Sequence, residues 1–183
     1  MRRVVAAGRG ADAVIENIRA HFRVGARART SLEIDNFIQE ALAVVRDKLQ
    51  RYRVAIHAEV NERLPRVKGE PIQLQQVLVN LMTNAIDSMA TENGERALFI
   101  RAEIHDSSYV MLSVEDTGKG VESSAVNRIF NPMFTTKADG MGMGLSICRS
   151  IIEAHEGQIW VTAGQGRGAI FHFTVPIDSG SLS

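Results

Sequence analysis

The sequence contains one cysteine, Cys148, in 183 residues. That excludes an internal disulfide and a zinc site built on cysteine pairs, and it fits a reducing compartment. There is no surplus of charge of either sign, because 21 basic residues stand against 21 acidic ones. No global field therefore draws the chain to nucleic acid or anionic lipid, and a phosphate-bearing ligand has to be recognised locally. No apolar run reaches membrane-spanning length, and "MRRVVAAGRG" is too short and too interrupted for a signal peptide. The expected location is the cytoplasm, with any membrane tether in a larger parent protein. Internal repeats and low-complexity segments are also missing. The length suits one compact domain with an appended helix.

What is present is a mixture of helical and strand periods. Val14, Ile15, Ile18 and Phe22 outline an amphipathic helix over 11–24, and "RVGARART" breaks it, so a boundary falls near Gly25 to Thr30. Asp35 is the expected N-cap of a helix whose face is Phe37, Ile38, Ala41, Leu42, Val45 and Leu49. "RVAIHAEV" alternates as a half-buried strand. Pro71 opens a further helix that runs towards Asn93 and Gly94. Two strands follow, with Leu98, Ile100, Ala102 and Ile104 on one face of the first and Val110, Leu112 and Val114 on one face of the second. A short helix ends at Phe130, another is outlined by Leu145, Ile147, Ile151 and Ile152, and "QIWVTAG" and "AIFHFTVPI" close the chain as strands. The order predicts an α+β sandwich, one sheet under one layer of helices.

Four stretches carry chemistry. In "LQQVLVNLMTNAIDSM", Gln76, Asn80, Asn84 and Asp87 fall within about 80° of one another at roughly 100° per residue, opposite Val77, Leu78, Leu81, Ala85 and Met89. A solvated face explains any such polar stripe, but asparagine is a poor helix former and its amide oxygen is a hard ligand suited to magnesium. In "VMLSVEDTGKG", Asp116 shares the parity of Val110, Leu112 and Val114, so a strand that continues so far carries its carboxylate to the buried side. A carboxylate there needs a donor. Gly118 and Gly120 clear space beside it, and a flat base with an exocyclic amine fits, although a plain Asp-Thr-Gly turn also would.

The third stretch is "GMGMGLSI", where Gly140, Gly142 and Gly144 lead into a helix N-terminus that suits an anion. It is neither a Walker loop nor a dinucleotide fingerprint. The fourth, "FNPMFTTK", offers two hydroxyls and Lys137 on a segment without a core pattern, as a lid would. A second glycine run, "GQGRG" at 164–168, lies between strands and reads as a hairpin turn alone.

In their chain order, with "FNPMFTTK" ahead of "GMGMGLSI", the four stretches resemble the catalytic ATP-binding domain of two-component sensor histidine kinases, within the superfamily shared with gyrase B, Hsp90 and MutL. The oxygen-sensing and nitrogen-regulatory branch is the most similar. The resemblance spans about residues 30–178; it assigns 1–29 to the remnant of a phosphoacceptor hairpin helix with its linker, and 179–183 to a tail. It implies a two-layer α/β sandwich of the histidine-kinase ATPase type, with a mixed sheet, and the cofactors ATP and Mg²⁺. By this resemblance Asn84 binds Mg²⁺, with Asn80 and Asp87 beside the nucleotide. Asp116 accepts the adenine amine, Gly118 and Gly120 shape the base pocket, and Phe130 anchors the lid. Thr135, Thr136 and Lys137 lie near the phosphates, where Gly140, Gly142, Gly144 and Leu145 close on them, and Lys137 and Asn80 are the implied catalytic residues. The implied partners are a histidine hairpin domain and a response regulator.

Asn131, Met133, Glu156 and Ala169 depart from the usual residues, an acid, an aromatic, a glycine and a hydroxyl respectively. Asn80 stands where hydrolysing relatives carry a glutamate that activates water, and an amide cannot take a proton at neutral pH. That favours transfer to a histidine over hydrolysis. None of His21, His57, His105, His155 or His172 has a phosphoacceptor's surroundings, so the acceptor is expected outside this sequence; His155 reads as a helix C-cap. The alternatives are an ATPase switch of the same superfamily and a non-catalytic nucleotide-sensing module.

Overall fold

The computed structural model describes residues 28–61, 63–135, 142–164 and 166–181. The helix expected over 11–24 lies outside them. Within them the chain forms β1 (Thr30–Leu32), α1 (Ile34–Tyr52), β2 (Ala55–Val60), β3 (Val67–Gly69), α2 (Pro71–Met89), β4 (Ala97–Ile104), β5 (Tyr109–Asp116), α3 (Gly144–Ala154), β6 (Ile159–Ala163) and β7 (Ala169–Pro176), then a 3₁₀ turn at Ser179–Ser181. A five-stranded sheet runs in the order β2-β4-β5-β7-β6. The β2–β4 pair is parallel and the other pairs are antiparallel, so the sheet is mixed. The small β1–β3 sheet was not anticipated, since three-residue strands show no period.

The three helices cover one face of the large sheet, and α2 lies between α1 and α3. Its apolar side, Val77, Leu78, Leu81, Met82, Ala85, Ile86 and Met89, is buried, as are Leu98, Ile100, Leu112, Val114 and Phe173 from the strands. Burying a side chain of this size stabilises by about 1.5–3 kcal/mol, so this layer supplies most of the driving force. Ile104 departs from the expected alternation and is 54% exposed, because the strand end overruns the helical layer.

Several helix ends differ from expectation. The N-cap of α1 is Glu33, not Asp35, which sits in the first turn where its charge complements the helix dipole. Pro71 does open α2, after Glu70, whose carboxylate accepts from the Ile72 and Gln73 amides at 3.2 and 2.9 Å. That helix ends at Met89, short of Asn93. Arg96 accounts for the stop: its guanidinium donates to the carbonyls of Ala90 and Glu92 past α2 and of Tyr52 at the end of α1. No helix ends at Phe130; residues 123–130 form successive turns, held by bonds such as Arg128 N–H to the Ala125 carbonyl. The segment is too short, and too rich in serine and β-branched residues, to propagate a helix.

His155 caps α3 and does more. It is 2% exposed, Nδ1 faces the Ile151 carbonyl at 2.7 Å, and Nε2 accepts the Glu70 amide at 3.0 Å. The end of α3 is thereby tied to the start of α2. Glu156 follows in the left-handed region, φ +64°, a conformation that glycine adopts at no steric cost. Its carboxylate pairs with Arg29 at 2.8 Å, and Arg29 also donates to the Ala154 carbonyl.

The other sheet face carries polar ladders in place of helices. Arg101 bridges Glu59 and the buried Glu115 at 3.1 and 2.6 Å. His172 sits between the hydroxyls of Ser113 and Thr162 at 2.8 and 2.9 Å, with Trp160 stacked on it. Partial burial holds the His172 pKa below its ordinary value, and Glu103 and Glu115 oppose that shift.

Candidate nucleotide site

The centre of the site is the last residue of β5. Parity carries Asp116 to the helical side, and the carboxylate is 2% exposed. It accepts from the Ser88 hydroxyl on α2 at 2.8 Å, from the Gly118 amide at 2.8 Å, and from the Ala169 amide on β7. Burial raises its pKa above the usual aspartate range, and the three donors partly offset this. A carboxylate offers about four lone-pair positions, so three donors leave room for one more, such as the amine of a base.

Glycines surround this carboxylate because nothing larger fits. A Cβ on Gly118 would stand 2.1 Å from Ser88 Oγ and 2.7 Å from Asp116 Oδ1. One on Gly120 would stand 2.8 Å from the Gly168 carbonyl oxygen. Gly168 belongs to the run read as a mere hairpin turn, and a bond from the Gly164 amide to the Gly168 carbonyl does close that turn. Yet a Cβ on Gly168 would lie 1.7 Å from the Asp116 carbonyl oxygen, so the second run also shapes the floor of the site.

The polar stripe of α2 divides among its neighbours. Asn80 hydrogen-bonds through its side chain to the Cys148 thiol on α3, and Asp87 pairs with Lys48 of α1 at 2.5 Å. Burial pushes Cys148 up to about 12, with the Asn80 bond opposing, so this thiol is inert at neutral pH. Asn84, on the same stripe, is half-buried. One helical turn beyond it stands Ser88, whose spacing from Asn84 was a signal for the site that the motif reading passed over.

Phe130 is 9% exposed and meets Phe171 edge-on at 6.4 Å, which fixes the segment that follows Ile129. A Cβ on Gly142 would be 2.5 Å from the Met133 carbonyl carbon and 2.7 Å from the Phe134 carbonyl oxygen. The two borders of the 133–142 stretch therefore touch. Met133 is 80% exposed with φ +65°, and Thr135 is exposed. Thr136, Lys137 and Gly140 lie outside the described residues. Gly144 is the first residue of α3, with no side-chain cap bond at Met143 before it, and Leu145 packs against the core.

Asp116, Gly118 and Gly120 thus meet at one place, with Ser88, Gly168 and Ala169 added, while Asn80 and Asp87 diverge towards α3 and α1. A mixed sheet under three helices, a buried carboxylate at a strand end and a glycine-bordered stretch before a helix define a nucleotide-binding ATPase fold. Residues 69–179 match the family of histidine kinase-, DNA gyrase B-, and HSP90-like ATPases, and the chain belongs to it, as an ATP-binding catalytic domain of the sensor histidine kinase type.

The sensor protein TdiS of Thauera aromatica is 41% identical over 151 residues, covering 81% of this chain and 28% of its own length. The sensor protein FixL of Bradyrhizobium diazoefficiens is 34% identical over 166 residues, covering 91% of this chain and 33% of its own. The chain therefore spans about a third or less of these two relatives. The solved catalytic domain of histidine kinase ThkA superposes with a TM-score of 0.72 at 30% identity, over 82% of this chain and 99% of that one. Full-length ShkA in complex with AMPPNP gives 0.81 at 25% identity, over 97% and 38%. No helix among the described residues is long and apolar enough to cross a membrane.

Proposed function

We propose that the chain binds ATP with Mg²⁺ and presents the γ-phosphate to a histidine outside this sequence, as the catalytic part of a cytoplasmic two-component kinase. The observation that carries the reading is Asp116, a buried carboxylate with three donors and a glycine-cleared side. In this reading Asp116 takes the adenine amine, Gly118 and Gly120 shape the base end, and Phe130 anchors the start of the lid. Thr135, Thr136, Lys137, Gly140, Gly142, Gly144 and Leu145 belong to the phosphate end, where free helix amides and Lys137 offset negative charge.

The donor set suits magnesium. Asn84 offers one hard amide oxygen, and Mg²⁺ held with substrate phosphates keeps water for most other positions. When bound, the ion neutralises charge on the triphosphate. Asp87, paired with Lys48, enters the reading only as a neighbour of that end. Asn80 is bound to Cys148 and cannot act as a base, which disfavours activation of water. A neutral imidazole needs no base to expose its lone pair, so transfer to histidine remains open to this site. Catalysis then rests on positioning and charge neutralisation.

Residues 1–29 belong in this reading to the end of a phosphoacceptor hairpin and its linker, residues 30–178 to the catalytic domain. A response regulator is the downstream partner, a role supported by the solved complex of histidine kinase ThkA with the response regulator TrrA. Titration with a non-hydrolysable ATP analogue, with and without Mg²⁺, tests the reading. Asp116→Asn should abolish binding and Asn84→Ala should remove its magnesium dependence; radiolabel should then pass from ATP to a supplied histidine hairpin domain. Wild-type protein that binds no nucleotide at millimolar concentration would overturn it.

A further inference from the structure

Ser88 lies in the α2 stretch but is given no role by the resemblance, yet its hydroxyl reaches into the centre of the site. Oγ lies 2.8 Å from the Ala85 carbonyl oxygen and 2.8 Å from Asp116 Oδ1. A hydroxyl has a single proton, so it cannot donate to both at once. Facing an ionised carboxylate with the proton turned away would set lone pair against lone pair, so the proton belongs to Asp116. The Gly118 amide reaches the same Oδ1 at 2.8 Å. That oxygen is saturated by two donors from two separate elements, and the carboxylate is fixed in rotation. No side chain larger than hydrogen at 118 could join this arrangement, since its Cβ would overlap Ser88 Oγ.

We propose that Ser88 is a positioning and specificity residue: by donating to Asp116 Oδ1 it holds the carboxylate as a pure acceptor, in one orientation, for an amino-purine in preference to an oxo-purine. The inference rests on the reading of Asp116 as the adenine acceptor. Its chemistry is simple. An amino group at the purine 6-position donates to a carboxylate, whereas a 6-oxo group would oppose it, unless the carboxyl carries a proton and becomes a donor itself. Burial pushes Asp116 towards that protonated form, and the Ser88 bond acts most strongly against it. The surroundings offer little other help: α2 contributes Ser88, with Asp87 beside it already held by Lys48, the loop contributes the Gly118 amide, and β7 the Ala169 amide. Glu115, next along β5, pushes in the same direction as burial.

The test is titration of ADP and of non-hydrolysable ATP and GTP analogues between pH 5 and 8, on wild type, Ser88→Ala, Ser88→Cys and Asp116→Asn. A bond to a charged acceptor is involved, so Ser88→Ala should weaken the ATP analogue about tenfold at neutral pH. The loss should be equal for ADP, because the contact is at the base. The acid limb of binding should move to higher pH, and the preference for adenine over guanine should shrink. Ser88→Cys fills the same space with a weak donor and should behave as alanine does. If Ser88→Ala and Ser88→Cys keep the wild-type affinities and acid limb while Asp116→Asn loses binding, the serine merely packs and the proposal is wrong, with the adenine reading intact. If Asp116→Asn binds like wild type, the adenine reading itself fails and takes the proposal with it.

Discussion

Gly168→Ala gives a sharp test of how the site is built. The residue has φ +82°, and an added methyl would stand 1.7 Å from the Asp116 carbonyl oxygen, 2.7 Å from its carbon and 3.2 Å from the Gly118 amide nitrogen. All three are backbone atoms, so no side chain can swing aside, and ordinary contact requires the strands to part by more than an ångström. Placing a non-glycine residue in this conformation costs about 1 kcal/mol, and overpacking against fixed neighbours typically adds about 1–3 kcal/mol. A loss of about 2–4 kcal/mol is expected, which for a chain of this size lowers Tm by roughly 2–4 °C per kcal/mol. Nucleotide affinity should fall as well, because Ala169 would be drawn from the Asp116 carboxylate. Gly166 is the internal control: it has φ +98° and nothing within 4 Å of an added Cβ, so its alanine variant bears only the conformational cost. Urea unfolding of both variants, alongside analogue binding, reads the difference. Equal losses in the two would refute the steric reasoning.

Arg96→Ala removes three carbonyl contacts that join the ends of α1 and α2, and should cost about 2–3 kcal/mol by urea unfolding. Arg96→Lys should recover less than half, since an ammonium cannot fork between two helix ends; full recovery would show that charge alone matters there. His172 has a folded pKa below its unfolded value of about 6.5, so the unfolded chain takes up a proton that the folded chain resists. Stability should therefore fall as pH drops below about 6.5, and His172→Gln should flatten that slope in thermal melts between pH 5 and 7.5. Parallel curves for the two proteins would remove His172 from the account.

The large elements were legible because their side chains face two different solvents. Strand parity placed Asp116 among Val110, Leu112 and Val114, and all four are buried. Pro71 marked the start of α2, because a missing amide proton is harmless there. Other features depend on partners far away in the chain. Nothing local to Gly168 announces that it presses on a strand more than fifty residues earlier, and nothing in "EAHEG" shows that His155 will accept the amide of Glu70. The division of the α2 stripe, Asn80 to Cys148 and Asp87 to Lys48, likewise needs the positions of α1 and α3. Periodicity states which residues share a face, but not which neighbour claims each of them.

One contact near the start of the described residues has a mechanical meaning. The chain enters at Arg29, and the same guanidinium grips Glu156 and the Ala154 carbonyl at the far end of α3, whose near end borders the glycine-lined stretch. The start of the described residues is thus tied to the end of a rigid rod, α3, and not to a loop. About 1.5 Å of rise per residue makes that rod some 16 Å long. His155, bound to the start of α2, stands beside the grip as a fulcrum. Arg29 and His155 therefore hold the same end of that rod from two sides, one from the start of the described residues and one from α2.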